Sequence, residues 1–520
     1  MLKLKLYLFR FLIIFNIGCL LHYLVIRWFN FWTQKIGYLI FLFSESLVLF
    51  IGSYNTYFIA WNYFSFPKEI HGVDREGKKI LSGENTNLPT PGVDILICCY
   101  NEPLELIQES IQKCMEIDYS SFTIFVCDDG DNLILKNWVE KCNIDHYTSS
   151  TKIFYKNRLS IMGHAKAGNI NDSLLFSEFS GNDLFLVLDC DMQPEKDIFK
   201  NMIPYFYQWD SQNGRYEKKE KLAFVQAPQR FYNIHRTDCL GQQYYYFYGI
   251  ILRVWDYYHC TPCCGTNVIF TKNSIKEIGG FQYESITEDF LTSMVLHARG
   301  YESKYCPKVV AKGLSPFSLS DFFKQRFRWS FGSCQLMPVF RREWKNLDWK
   351  KRYIYISCFV NLHLNFLLFI LITFPVLHLY YPNIFFQLSN LTLFTYLFDF
   401  GLFMLSFIII LLTIYSDVSS VYLIKNFQET VYMMYCNLLV LGYYYLGIPY
   451  GFQITPKDKR LTILTDLSWM MPFLLYIGFS LSGFYYYQYV IGKPLDQLNV
   501  LWIAMVYFQI SPIVLFPFFT

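Results

Sequence analysis

Two parts of this chain are too apolar to sit in water, and they flank one that is not. Residues 7–29 and 37–61, then 355–380, 391–415, 468–489 and 499–519, each hold enough consecutive apolar side chains to cross a hydrocarbon core of about 30 Å. Most of the charge lies between them, in residues 67–350. Of 520 residues, 53% are hydrophobic and only 17% charged, more apolar than an ordinary soluble chain. The reading is a multi-pass membrane protein with one hydrophilic block, large enough to enclose its own core.

Charge sets the orientation. Lys3 and Lys5 precede the first span, and Lys68, Arg75, Lys78 and Lys79 follow the second. The positive-inside rule then places the amino terminus and the block in the cytoplasm, within a cell (plasma) membrane protein. The first span is too long, and too closely followed by another, for a cleaved signal peptide. Residues 428–449 are nearly as apolar, but a crossing there would put Lys457, Lys459 and Arg460 outside. They are therefore expected to form an interfacial or re-entrant helix, leaving six crossings. Glu45, inside the second span, is either a pathway group or a paired structural carboxylate. Residues 318–350 mix aromatics with Lys324, Arg326, Arg328, Arg341, Arg342 and Lys345, the composition of helices on a membrane face. A net charge of +3 without a basic, aromatic-laced stretch gives no footprint for nucleic acid. The 15 cysteines follow neither a disulfide nor a zinc spacing, as suits reduced thiols in a cytosolic domain.

Within the block, strand and helix alternate. Val93–Tyr100, Phe122–Cys127, Lys152–Tyr155 and Asp183–Leu188 read as strands, with helices through about Met115, over 133–142 and over 165–175. That alternation predicts an α/β domain with a mostly parallel sheet. The last of these strands ends in Asp189-Cys190-Asp191. Two carboxylates at the carboxyl end of a strand lie where such sheets hold ligands, and two hard oxygen donors suit Mg²⁺ or Mn²⁺ shared with a diphosphate. A solvated loop is the plain alternative. Asp128-Asp129-Gly130 ends another strand and faces the same crevice, the glycine permitting a sharp turn. Lys166, in His164-Ala165-Lys166-Ala167-Gly168-Asn169, brings a cation to a helix start. Thr287-Glu288-Asp289 reads as a helix cap or an acidic site. In Gln325-Arg326-Phe327-Arg328-Trp329, residues Gln325, Arg328 and Trp329 share one helix face, as membrane anchors or as part of a site.

These motifs, in this order and between two membrane blocks, resemble the processive family 2 glycosyltransferases, with the nearest likeness to the catalytic polypeptide of cellulose synthase. The resemblance extends to Tyr100-Asn101-Glu102-Pro103, Cys264-Gly265-Thr266 and Phe452-Gln453-Ile454-Thr455-Pro456-Lys457. The last is similar to the gating loop of cellulose synthases, with Ile454 in place of Val. The family implies a cytoplasmic GT-A glycosyltransferase domain inserted between transmembrane helices. It also implies that Tyr100, Glu102 and Asp129 hold the uridine, with Asp128 supporting, and that Lys166 and Arg328 neutralise the diphosphate beside a metal on Asp189 and Asp191. Asp289 would be the general base. Cys264, Glu288, Gln325 and Trp329 would receive the acceptor, and Phe452, Thr455 and Lys457 would close over the nucleotide.

The expected organisation is a transmembrane pair (1–66), a linker (67–92), the catalytic domain (93–317), interfacial helices (318–354) and a channel region (355–520) containing the gating loop (452–460). The expected partners are a UDP-sugar donor, UDP-glucose first, a growing polysaccharide and membrane lipid, with inversion to a β-glucan. Other products of such enzymes are a capsular glucan with β-1,3 and β-1,2 links like that of type 37 capsule synthases, chitin or hyaluronan. An inactive scaffold or a transporter is the non-enzymatic rival. The chain departs from bacterial cellulose synthases in three ways. Met192 stands where a histidine often follows the second metal carboxylate, two spans precede the block where four are typical, and no cyclic-di-GMP-binding domain is expected after Thr520.

Overall fold

The computed structural model describes residues 2–29, 36–61, 88–145, 152–158, 163–234, 238–382, 390–416, 420–451, 463–495 and 497–516. Most of the expected linker, the basic run Lys68–Lys79 and the segment carrying Phe452, Thr455 and Lys457 lie outside the described residues.

The block is built on seven strands: β1 (Val93–Cys99), β2 (Phe122–Asp128), β3 (Lys152–Asn157), β4 (Leu184–Asp189), β5 (Leu222–Gln226), β6 (Val268–Thr271) and β7 (Glu302–Tyr305). Their spatial order is β7-β5-β6-β4-β1-β2-β3. The pairs β1–β2, β1–β4, β2–β3 and β5–β7 are parallel, and β6 runs antiparallel to both neighbours. The sheet is thus mostly parallel, as the alternation predicts. Helices cover both faces of its centre, so β1 is buried along its whole length, which explains its unbroken apolar run. Asp94 is the exception inside β1. Its buried carboxylate is paired with the Lys272 ammonium at 2.6 Å and accepts from Asn182 and Ser180. A buried charge must be compensated in this way.

The register sets the site. Cys98 of β1 lies opposite Asp189, and Cys99 lies opposite Asp128. The three central strands therefore end level, and the acidic residues that follow them collect at one edge.

Among the described residues, five helices are long and apolar enough to cross a membrane: Leu4–Phe29, Gly37–Trp61, Trp349–Tyr380, Phe398–Tyr415 and Leu464–Val490. The sixth expected span is a shorter apolar helix, Asn499–Leu515. Most of residues 428–449, expected as interfacial or re-entrant, fall in one continuous helix, Ser420–Tyr445. Its residues share an apolar core with helix Leu319–Glu343. Glu45 takes the structural alternative. It is buried, accepts from Tyr23 at 2.7 Å, and pairs with Arg27 at 3.0 Å.

Candidate active site

Beyond the strand ends lies a cavity of about 480 Å³. Tyr100 and Glu102 reach it from the loop after β1, Asp129 from the loop after β2, and Asp189 and Asp191 from the end of β4. Lys166 enters from helix Ala165–Phe176, Cys264 from the segment before β6, and Glu288 and Asp289 from the start of helix Glu288–Ala298. Gln325, Arg328 and Trp329 line it from helix Leu319–Glu343, so the face they share is turned to the site.

Asp128, expected in support of the residues that hold the uridine, does not itself line this cavity. Its carboxylate is turned into its own loop, accepting from the amides of Gly130 (2.7 Å) and Asn132 (2.8 Å) and from the Tyr155 hydroxyl (2.7 Å). What it supports is the loop that presents Asp129. The role expected of Gly130 also changes. Left-handed backbone falls on Asn101 (φ 60°) and Asp131 (φ 52°), whereas a Cβ on Gly130 would stand 2.6 Å from Asn101 Oδ1. The glycine serves close approach between two loops.

Asp129 accepts from Arg158 at 2.8 Å, while its Oδ1 is buried with no hydrogen-bond partner among the described residues. A buried, unsatisfied acceptor beside a cavity is what a ligand donor would complete. No sequence motif points to Arg158. It is admitted by Gly168, where a Cβ would lie 2.1 Å from Arg158 Nη1, and Asn169 fastens the same helix to the Cys127 carbonyl at 2.8 Å. In Lys166-Ala167-Gly168-Asn169, the lysine is the charge that lines the cavity. The glycine and asparagine place Arg158 and the helix.

Lys166 donates to Asp189 and, at 2.6 Å, to the Gly265 carbonyl. Gly265 has φ 83°, and a Cβ there would come 2.8 Å from Asp289 Oδ2 and 3.8 Å from Lys166 Nζ. The bare backbone thus lets the Asp289 carboxylate and the Lys166 ammonium approach one point, with Asp189 just beyond. Asp289 Oδ1 accepts from the Phe290 amide at 2.8 Å, while Oδ2 is the oxygen turned toward Gly265. Burial pushes the Asp289 carboxyl up, and the Phe290 amide, Lys166 and Arg328 draw it back. Glu288, also raised by burial and then by the charge of Asp289, reaches about 7.

Asp189 and Asp191 fit a divalent ion. Both line the cavity, and the Asp189 side chain is 41% exposed. Mg²⁺ is commonly held by one or two carboxylates with phosphate oxygens completing its shell. No group of three or more acidic, histidine or cysteine ligands occurs among the described residues. Met192 is buried in the core with its sulfur against Gly313, so its position supplies no third ligand.

Three comparisons bear on this site. Residues 184–446 match the family described as Glycosyl transferase family group 2. Among curated proteins, the chain is 37% identical over 188 residues to a catalytic polypeptide of the cellulose synthase of Dictyostelium discoideum, covering 36% of this chain and 17% of that one. It is 29% identical over 258 residues to the cellulose synthase catalytic chain from Xanthomonas axonopodis pv. citri (48% and 32% covered). It is 28% identical over 324 residues to that of Komagataeibacter sucrofermentans (60% and 38% covered). The chain thus spans well under half the length of each. Among solved structures, the mannosyltransferase PcManGT from Pyrobaculum calidifontis, in complex with GDP-Man and Mn²⁺, aligns with a TM-score of 0.52 at 14% identity, covering 80% of this chain and all of that one. That likeness speaks to the fold alone, the GT-A-type α/β arrangement.

Proposed function

The chain belongs to Glycosyl transferase family group 2 and is therefore a transferase, and from that premise we propose that it is a processive, membrane-embedded polysaccharide synthase. In this reading it transfers glucose from UDP-glucose, with inversion, to a growing β-glucan made on the cytoplasmic side and passed through its own helices. The observation that carries the reading is the convergence over Gly265, where the Asp289 and Lys166 side chains come within 2.8 Å and 3.8 Å of one point. A base for an acceptor hydroxyl and a cation for a departing diphosphate stand side by side there.

Asp289 Oδ2 takes the proton from the acceptor hydroxyl as that oxygen bonds to the anomeric carbon, and the bond from that carbon to the diphosphate oxygen breaks. UDP leaves with the bonding pair, steadied by Lys166 and Arg328. Such preorganised charge is usually the largest catalytic contribution. A divalent ion on Asp189 and Asp191 would supply further neutralisation of the diphosphate. Asp129, with its free Oδ1, would accept from the uracil or ribose, beside Tyr100 and Glu102. One base and no carboxylate assigned as nucleophile imply single displacement, hence a β-linked product from an α-linked donor. Trp329 offers a ring face on which an acceptor sugar stacks.

The acid limb of activity should reflect the buried base. Burial holds the Asp289 carboxyl above its ordinary value, so in a profile of kcat/KM turnover should begin to fall on acidification at a higher pH than exposed carboxylates, near about 4, would give. A base must be ionised to accept a proton, which fixes the sign.

The reading is tested with the full chain in lipid nanodiscs, given UDP-glucose and Mg²⁺. Release of UDP with polymer that a β-1,4-glucanase digests is expected. Polymer resistant to that enzyme but cut by β-1,3-glucanase would move the product to the capsular class, and absence of UDP release from every UDP-hexose would remove the enzymatic reading.

A further inference from the structure

Arg326 lies between Gln325 and the Arg328-Trp329 pair, yet it does not line the cavity. Its guanidinium carbon stands 4.3 Å from the ring centre of Tyr244, 5.0 Å from that of Trp329 and 5.2 Å from that of Phe322. Its Nη2 donates to Glu429 Oε1 at 2.6 Å, with the two side chains only 13% and 27% exposed. Tyr244 meets Trp329 edge-on at 5.6 Å, and its hydroxyl stands 3.5 Å from Gln325 Oε1. One cation is therefore shared by the ring at the cavity wall and the ring that supports it.

Glu429 belongs to helix Ser420–Tyr445, which also grips the other parts of this assembly. Asn437 accepts from Ser330, and the Tyr432 hydroxyl and Lys425 ammonium donate to the carbonyls of Leu240 and Asp238, each within 2.7–2.8 Å. The last two hold the segment leading to Tyr244. The helix thus fixes both the Trp329 helix and the loop behind Trp329, with the ion pair between them. A guanidinium is suited to this place because it can face rings while bonding a carboxylate in its own plane.

We propose that Arg326, oriented by Glu429, is the positioning residue for Trp329, and that the pair governs capture of a neutral β-linked oligosaccharide acceptor without governing the nucleotide. This rests on the synthase reading above. Arg326 acts through Trp329: with the cation displaced, the ring loses its backing, and a stacked sugar finds no fixed face.

The test compares the unaltered chain with Arg326→Lys, Glu429→Gln and Glu429→Asp, all in nanodiscs. UDP affinity is measured by calorimetry, and cellotetraose binding by the part of the tryptophan fluorescence change that Trp329→Phe removes. In Arg326→Lys and Glu429→Gln the oligosaccharide should bind about tenfold more weakly, consistent with loss of a desolvated cation–ring contact. UDP affinity should stay within about twofold, a sign that the fold is retained, and the polymer should be shorter. Glu429→Asp, which keeps the charge, should recover part of the loss. Equal weakening of UDP and oligosaccharide, unchanged oligosaccharide affinity, or no recovery in Glu429→Asp would each overturn the proposal. Failure of the synthase reading shows in the unaltered chain as absent UDP release, whereas failure of the positioning role shows only in the variants.

Discussion

Replacing Asp289 with Asn should slow UDP release by about 10²–10⁴-fold while UDP still binds. The side chain keeps its size, and one of its oxygens is already occupied by the Phe290 amide at 2.8 Å, so the helix start has no reason to move. What is lost is the group that receives the acceptor proton. The nucleotide is expected to contact Asp129, Tyr100 and Lys166, and removing a negative charge near the diphosphate leaves its affinity equal or higher. Stopped-time assays of UDP release, alongside calorimetric UDP binding, separate the two. Turnover within a few-fold of the unaltered chain would take the base role away from Asp289. Glu288, adjacent on the same helix turn and lining the same cavity, would be the next carboxylate to test.

The central strands are legible because parallel strands covered on both faces are nearly all apolar, and β1, β2 and β4 are so apart from Asp94, Thr123 and the carboxylates that end β2 and β4. Their level ends then bring Asp129, Asp189 and Asp191 to one edge, which local pattern already implies. The face shared by Gln325, Arg328 and Trp329 follows from helix spacing alone. Other features depend on chain segments that local pattern does not connect. The β5, β6 and β7 strands are only four or five residues long, too short to show periodicity beside ordinary loops, and the reversed direction of β6 is set by pairing with both neighbours. Arg158 follows an edge strand in no motif, and only the crowding at Gly168 marks where its side chain goes. Likewise, nothing near Arg326 in the chain points to Glu429, which lies 103 residues later. Asp128 and Asp129 look equivalent in sequence. The amides of Gly130 and Asn132 claim the first, whereas the second lines the cavity and pairs with Arg158.

Adding one methyl group at Gly332 should cost about 10²-fold in turnover, because it acts on the distance between the base and the acceptor wall. A Cβ at Gly332 would fall 2.4 Å from Thr287 Oγ1 and 2.5 Å from its Cγ2. Thr287 is β-branched and stiff, and its hydroxyl is tied to Ser285 at 2.9 Å. Ser285 in turn donates to the Gly332 carbonyl at 3.0 Å, and the Ile286 amide donates to Gln335 at 2.8 Å. Rotation of one side chain therefore cannot relieve the contact. Either the 285–287 loop withdraws, taking Glu288 and Asp289 with it, or helix Leu319–Glu343 withdraws, taking Gln325, Arg328 and Trp329. Both movements separate the carboxylate from the acceptor wall by a fraction of an ångström or more, on a site that depends on near-contact geometry. Helix weakening is no rival explanation, since alanine is favoured over glycine inside a helix by about 1 kcal/mol. Gly442→Ala is the control: it sits in helix Ser420–Tyr445, where a Cβ meets nothing within 4 Å, and should leave UDP release unchanged. Equal activity in Gly332→Ala and Gly442→Ala, with UDP affinity retained in both, would mean that the loop yields without moving Asp289 and that the contact at Gly332 has no part in aligning the base.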